Sequence, residues 1–374
     1  MKKIAAIIPY AYLPGQSGGQ KSFAGFYEHL GKRCELHAMG VPENDAVLAT
    51  TYLLKPMLKS SVLRYADIGA FFRIKTYLKQ NKIEFLIIEH PYLGWLGWML
   101  KNASGVKLIV HTHNIEYLRF KSIGKWWWRM LKWYEGWTLR HADYVFCITE
   151  EDRQGMIEEL RIDVATSVNI PYGIHQYEAP ADKAAAKARI CKELNITDDT
   201  KLLFFNGKLD YYPNTEAVDL IINQINPLLL QSNLNYQILI AGKNLPEQYR
   251  ELKPWNDQHI RYLGFVDDID QYTKAADILL NPVMSGGGVK TKMIEALGFN
   301  TTVVSTVTGA AGVHKDVCGE KLIITEDNNW QQFADAVIKA AATQQKEIPQ
   351  AFYNEFSWKG IIEKALQFIS RTNE

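Results

Sequence analysis

ILLNPVMSGGGVKTKMIEALGFNTTVVST spans residues 278–306 and sets the architecture of the chain. An apolar run, 278–283, leads into Gly286, Gly287 and Gly288. Lys290, Thr291, Lys292 and Glu295 then fall on an amphipathic helix that Gly298 ends, and the β-branched run 301–306 follows. Strand, glycine turn, helix and strand make a βαβ unit, and continuous apolar strands of this kind are buried on both faces of a parallel sheet. Glycines let a backbone approach a ligand closely, and the free N–H groups of a helix start beside two lysines favour a diphosphate. Glu295, one turn deeper, suits two adjacent ribose hydroxyls. A plain strand-to-helix turn with solvated lysines fits the same residues, so this segment alone leaves both readings open.

Outward from it, short β-branched runs alternate with helical patterns in two series. One holds runs at 4–10, 85–90, 107–113 and 144–149; the other holds runs at 201–207, 236–242, 260–266, 278–283, 301–306 and 321–325. Between them NIPYGIHQYEAPAD, rich in Pro, Gly and polar residues, reads as a linker. The expected organisation is α/β, with Rossmann-like doubly wound domains over 1–172 and 173–352. A helix over 353–374, capped by Ser357, is expected to pack back on the first domain. The 374 residues suffice for two cores, and the ordinary apolar and charged fractions exclude disorder and fibrous repeats. Four scattered cysteines make no CxxC pair, which points to a reducing compartment. Five apolar residues before Pro9 are too few for a signal peptide core, and no apolar run is long enough to span a bilayer, so a cytoplasmic protein is expected.

A second segment, FFNGKLDYYPN, ends a strand with Gly207 and Lys208 and turns through Pro213 and Asn214 into a helix. Together with IPYGI, ILIAGKN, LGFVDDIDQYTKAADILLNP and FSWKGIIEKAL, this order resembles glycosyltransferase family 4, over nearly the whole chain and most strongly from 200 to 315. The resemblance implies the GT-B fold, two Rossmann-like domains facing across a cleft, with a nucleotide diphosphate sugar on the C-terminal domain and a glycan or lipid-linked acceptor on the N-terminal one. It implies retention at the anomeric carbon, Lys208 at the diphosphate and Glu295 at the ribose. Lys290 and Lys292 correspond to a GGxxxK variant of the donor motif, with Gly286 to Gly288 and Thr291 supplying backbone groups. Two residues depart from the common pattern: Gly287 stands where a first Glu is usual, and Lys208 where an Arg is usual. A nucleotide-sugar epimerase and a noncatalytic nucleotide-sugar-binding protein are the alternatives. The absence of GxGxxG after the first strand disfavours a dehydrogenase.

On the acceptor side, Gly15, Gly18 and Gly19 separate the first strand from a helix, and the resemblance turns this loop towards the acceptor and the transferred sugar. The run KLIVHTHNIEYLRF places His111 and His113 on one strand face, followed by Asn114, Glu116 and Arg119. His113 resembles the family's histidine at the donor sugar, and His90, closing FLIIEH, is a second candidate. HxHxxE offers no third metal ligand at a fixed spacing, and Asp267 to Asp270 read as a helix cap, so neither a metal nor another cofactor is expected.

Seven of the ten tryptophans lie between 95 and 137, and KWWWRMLKWYEGW mixes them with cations, the composition of a membrane-interface element. Met130, Trp133, Trp137 and His141 recur at helical spacing and are expected to face the core, while at least one of Trp126, Trp127 and Trp128 must stay exposed or line a groove. Residues 1–175 carry a net charge of +6 and the remainder −5. An anionic membrane surface meeting Trp126, Trp127, Trp128 and Arg129 is therefore an expected partner, with peripheral placement on the inner face of the membrane, and nucleic acid is not.

Overall fold

The computed structural model describes residues 1–371 apart from 16–17, 287 and 344–345. The chain divides into two compact units, Met1–His175 joined by the segment that starts at Trp358, and Gln176–Ser357. In chain order the first unit holds β1 (Lys3–Ile7), α1 (Gly18–Gly31), β2 (Glu35–Gly40), β3 (Leu53–Pro56), α2 (Ile68–Gln80), β4 (Phe85–Glu89) and α3 (Gly94–Ser104). It continues with β5 (Lys107–His111), α4 (Glu116–Ser122), α5 (Trp128–His141), β6 (Tyr144–Cys147), α6 (Glu150–Leu160) and β7 (Ser167–Asn169). The second unit runs α7 (Lys183–Leu194), β8 (Lys201–Asn206), α8 (Tyr212–Leu220), α9 (Asn226–Leu229), β9 (Tyr236–Ala241), β10 (Ile260–Gly264), α10 (Ile269–Ala275) and β11 (Ile278–Asn281). It ends with α11 (Thr291–Gly298), β12 (Thr302–Thr306), α12 (Lys315–Cys318), β13 (Leu322–Thr325), α13 (Trp330–Ala342) and α14 (Gln350–Phe356), after which α15 (Trp358–Arg371) returns to the first unit.

Both sheets are parallel throughout, in the orders β3-β2-β1-β4-β5-β6-β7 and β10-β9-β8-β11-β12-β13. The alternation along β1 shows why: Ala5 and Ile7 join one apolar cluster, Ile4, Ala6 and Ile8 the other. A strand buried on both faces needs helices on both faces, which parallel crossovers provide. Strand order reverses between β1 and β4 in the first sheet and between β8 and β11 in the second. Open parallel sheets bind ligands at such reversal points, beyond the carboxyl ends of the strands.

Three strands carry no continuous apolar run in the sequence. In β2 a polar residue is buried: His37 meets the Tyr77 hydroxyl at 2.7 Å, which removes the cost that its imidazole would otherwise incur. β3 and β7 are edge strands of four and three residues, too short to show a pattern. The last helix, α15, lays Trp358, Ile361, Ile362, Ala365 and Ile369 into the core of the first unit. Trp358 fits because Gly25 and Gly173 leave it room; a Cβ on either would come within 2.5 Å of its ring atoms.

Candidate functional site

In the second unit the loops after β8 and β11, the two strands at the reversal point, are tied together. Gly286 and Gly288 take φ of 86° and 72°, the left-handed region that a glycine turn requires. A Cβ on Gly286 would come 3.0 Å from Pro213 in the first turn of α8, which follows the β8 loop. Ser285 donates to Glu216 of α8 at 2.6 Å. Lys290 precedes the first turn of α11 and donates from Nζ to the carbonyls of Gly286 (2.7 Å) and Gly288 (3.0 Å), which ties its amine to the glycine turn. Thr291 opens α11, and Glu295 stands half-buried one turn on. Gly207 and Lys208 follow β8, with the Lys208 amine exposed and 3.4 Å from Asp210. Gly287 lies outside the described residues.

Lys292 stands differently from the expected phosphate contact. Its amine lies 4.0 Å from the centre of the Phe205 ring and donates to the Asn206 carbonyl (3.0 Å) and to Asn214 Oδ1 (2.9 Å), so it braces the β8 loop from within. Burial, and then the charge of Lys290, lower its pKa to about 7. Burial lowers that of Lys290 as well.

In the first unit the residues beyond β4 and β5 form two linked clusters. His90 adopts φ 60°, a strained conformation outside glycine, and its N–H donates to the His111 carbonyl at 2.9 Å. His90 Nδ1 lies 2.9 Å from Glu116 Oε1, while Tyr92 (2.5 Å) and Arg119 Nε (2.8 Å) donate to Oε2. Burial opposes the charge of Glu116, but the His90 hydrogen bond and the other partners outweigh it and hold the carboxyl at about 2. Asn114 is half-buried in the turn before α4. Gly18 and Gly19 open α1, and a Cβ on Gly19 would meet open space.

The second cluster centres on Glu89, which the sequence analysis missed. It ends β4, is fully buried and sits opposite His111 in the sheet register. Tyr27 donates to it, His111 Nδ1 lies 3.1 Å from Oε1 and His113 Nε2 lies 2.6 Å from Oε2. Burial pushes the carboxyl up, yet the two imidazoles prevail and keep it ionised. Burial, reinforced by His111, lowers His113 to about 4, so its ring is neutral at pH 7. The histidines therefore have a third neighbour, contrary to the reading of HxHxxE: Glu116 turns to His90 and Arg119, and Glu89 takes its place. Glu89, His111 and His113 offer ligand atoms within 4.8 Å of one another, the set among the described residues that a metal ion could use. A charged residue closing the otherwise apolar FLIIE was the available signal.

DDID behaves as a cap: Asp268 Oδ1 accepts from the N–H of Gln271 at 3.2 Å, opening α10. The tryptophan segment needs a correction. Met130 (66% exposed) and Trp133 (68%) face outward, because Leu131, Glu135, Thr138 and Leu139 take the buried stripe of α5. Trp126 is 83% exposed, whereas Trp127 and Trp128 pack partly on the core. Lys121 and Arg129 lie 5.0 and 5.3 Å from the centre of the partly buried Trp128 ring. No helix among the described residues is long and apolar enough to cross a membrane.

Residues 18–176 match the family described as Glycosyltransferase Family 4, and residues 200–343 match the family described as Glycosyl transferases group 1. The chain is similar to the UDP-Gal:alpha-D-GlcNAc-diphosphoundecaprenol alpha-1,3-galactosyltransferase of Escherichia coli, 24% identical over 299 residues, covering 76% of this chain and 73% of the relative. It is also similar to the phosphatidyl-myo-inositol mannosyltransferase of Mycobacterium leprae, 23% identical over 237 residues, covering 63% of this chain and 58% of the relative. The crystal structure of Anabaena HepE in complex with UDP shares the fold, with a TM-score of 0.73 and 14% identity over 99% of this chain and 100% of the other.

Proposed function

We propose that this chain, a glycosyltransferase of the GT-B type, moves a hexosyl group from a nucleoside diphosphate sugar to a hydroxyl of a glycan or lipid-linked acceptor, with retention and without a metal ion or other cofactor. The observation that carries the proposal is the braced pair of loops after β8 and β11, with the glycine turn, Lys290 and the start of α11 in one and Lys208 in the other. As the bond between anomeric carbon and phosphate oxygen breaks, negative charge grows on the leaving diphosphate, and fixed cations and N–H groups stabilise that charge most when it is fully developed. Glu295 accepts from the ribose hydroxyls, and His113 from a hydroxyl of the sugar. The acceptor oxygen bonds to the same face of the anomeric carbon, and its proton passes to the departing phosphate oxygen. Gly18, Gly19, His90, Asn114, Glu116 and Arg119 form the acceptor side.

The names of the two relatives support a lipid-linked acceptor: one contains diphosphoundecaprenol, the other phosphatidyl-myo-inositol. The exposed Trp126 and Trp133 with Lys121, Lys125 and Arg129 suit peripheral contact with an anionic membrane on its inner face. The test is a screen of UDP, GDP and ADP sugars for binding and for donor turnover with product identification. Glu295→Gln is expected to weaken nucleotide diphosphate binding in a folded protein by about 1.5 to 3 kcal/mol, the worth of a charged hydrogen bond. Unchanged calorimetric affinity would remove Glu295 from the site, and nucleotide binding without turnover of any donor would overturn the proposal in favour of a noncatalytic binding protein.

A further inference from the structure

We propose that Glu89 is a positioning residue that fixes the ring tautomer of His113, so that His113 meets the sugar only as a hydrogen-bond acceptor. This rests on the reading that His113 faces the donor sugar. Glu89 is fully buried, and an unpaired carboxylate there would be strongly destabilising. Three donors satisfy it instead: the Tyr27 hydroxyl, His111 Nδ1 and His113 Nε2. An ionised carboxylate can only accept, so the proton of the neutral His113 ring stays on Nε2 and Nδ1 is left as a lone pair. The ring is also held in place: His90 stacks on it at 4.6 Å and 30°, and Phe23 lies at 4.7 Å. His113 so held accepts from a sugar hydroxyl and has no proton to give a leaving group. The 2.6 Å contact between Glu89 and His113 has the length of a charge-assisted hydrogen bond. Two ligands of one tetrahedral zinc, each about 2.0 to 2.1 Å from the ion, would stand roughly 3.4 Å apart, so the cluster is closed as a hydrogen-bonded unit.

The test uses the full chain labelled with 15N in histidine, with His113→Ala to assign the signals. The wild-type ring is expected to carry its proton on Nε2 at pH 7. Glu89→Gln, whose amide both donates and accepts, is expected to mix the tautomers and to lower kcat by roughly ten- to a hundredfold with the donor KM within about twofold. Glu89→Asp, an acceptor only, keeps the tautomer and recovers part of the turnover. A wild-type ring protonated on Nδ1 overturns the proposal even if Glu89→Gln fails to fold, as does a folded Glu89→Gln protein with wild-type tautomer or turnover. Full turnover in His113→Ala, with the tautomer as expected in the wild type, would instead defeat the reading that His113 faces the sugar, and the proposed role of Glu89 with it.

Discussion

A lysine amine packed on Phe205 with two donors spent on Asn206 and Asn214 has a titration that depends on what arrives beside it. The Lys292 pKa of about 7 lies below its unfolded value of about 10.4, so between those limits the folded chain binds fewer protons than the unfolded one, and this lysine makes stability rise with pH. A diphosphate arriving nearby favours the charged amine. Donor binding at pH 8 should therefore take up protons, seen as a binding heat that varies with the ionisation heat of the buffer; Lys292→Met should lose that uptake, and a buffer-independent heat in the wild type would exclude it. Lys208→Ala and Lys290→Ala should lower turnover more than donor affinity, since charge on the diphosphate grows in the transition state; a rise in KM alone would contradict this. The positions of Lys290 and Glu295 were legible because their spacing is local to one turn and one helix. Glu89 was not, because it meets His111 through the parallel register of β4 and β5, which no spacing within either strand encodes.

The link between α5 and α4 depends on one buried carboxylate. Glu135 of α5 accepts from the N–H groups of Glu116 and Tyr117, both at 2.9 Å, and so seats the helix that carries Glu116 and Arg119. Burial raises its pKa to about 7, against a reference near 4.5. The folded state then holds its proton more tightly, and the associated stability, present below pH 4.5, is lost as pH rises through 7, by up to about 3 kcal/mol. Glu135→Gln should flatten this dependence, which urea unfolding at pH 5 and pH 7.5 would show; parallel changes in wild type and variant would contradict it. Helical spacing alone could not reveal this role, since it marked Met130 and Trp133 as core while Glu135 holds the buried face. The continuous central strands were legible because burial on both faces leaves them apolar throughout, whereas β3 and β7 are too short and β2 hides a satisfied histidine.

At the scale of the molecule, the doubly wound sheets put the candidate groups at the strand-order reversal of each unit, and the chemistry proposed there requires no metal. Turnover should survive EDTA; complete loss, restored by magnesium or manganese, would overturn the metal-free assignment and redirect attention to Glu89, His111 and His113. Exposed apolar side chains concentrate on the first unit, where residues 1–175 carry the net charge of +6. Trp126 and Trp133 stand out from the segment that also carries Lys121, Lys125 and Arg129, whereas Lys132 is paired with Glu159 at 2.5 Å and contributes less free charge. Lys121, Lys125 and Arg129, at about 1 kcal/mol each near an anionic surface, added to aromatic insertion, give binding that salt weakens. Cosedimentation should recover the wild type with vesicles containing phosphatidylglycerol and much less with phosphatidylcholine alone. Trp126→Ser with Trp133→Ser, folded by circular dichroism, should lower the recovery, and raising salt from 0.1 to 0.5 M should lower it further. Equal recovery with both vesicle types, or none with either, would mean that these rings serve no anionic lipid surface, because neither the charge nor the exposed tryptophans would then have contributed to attachment.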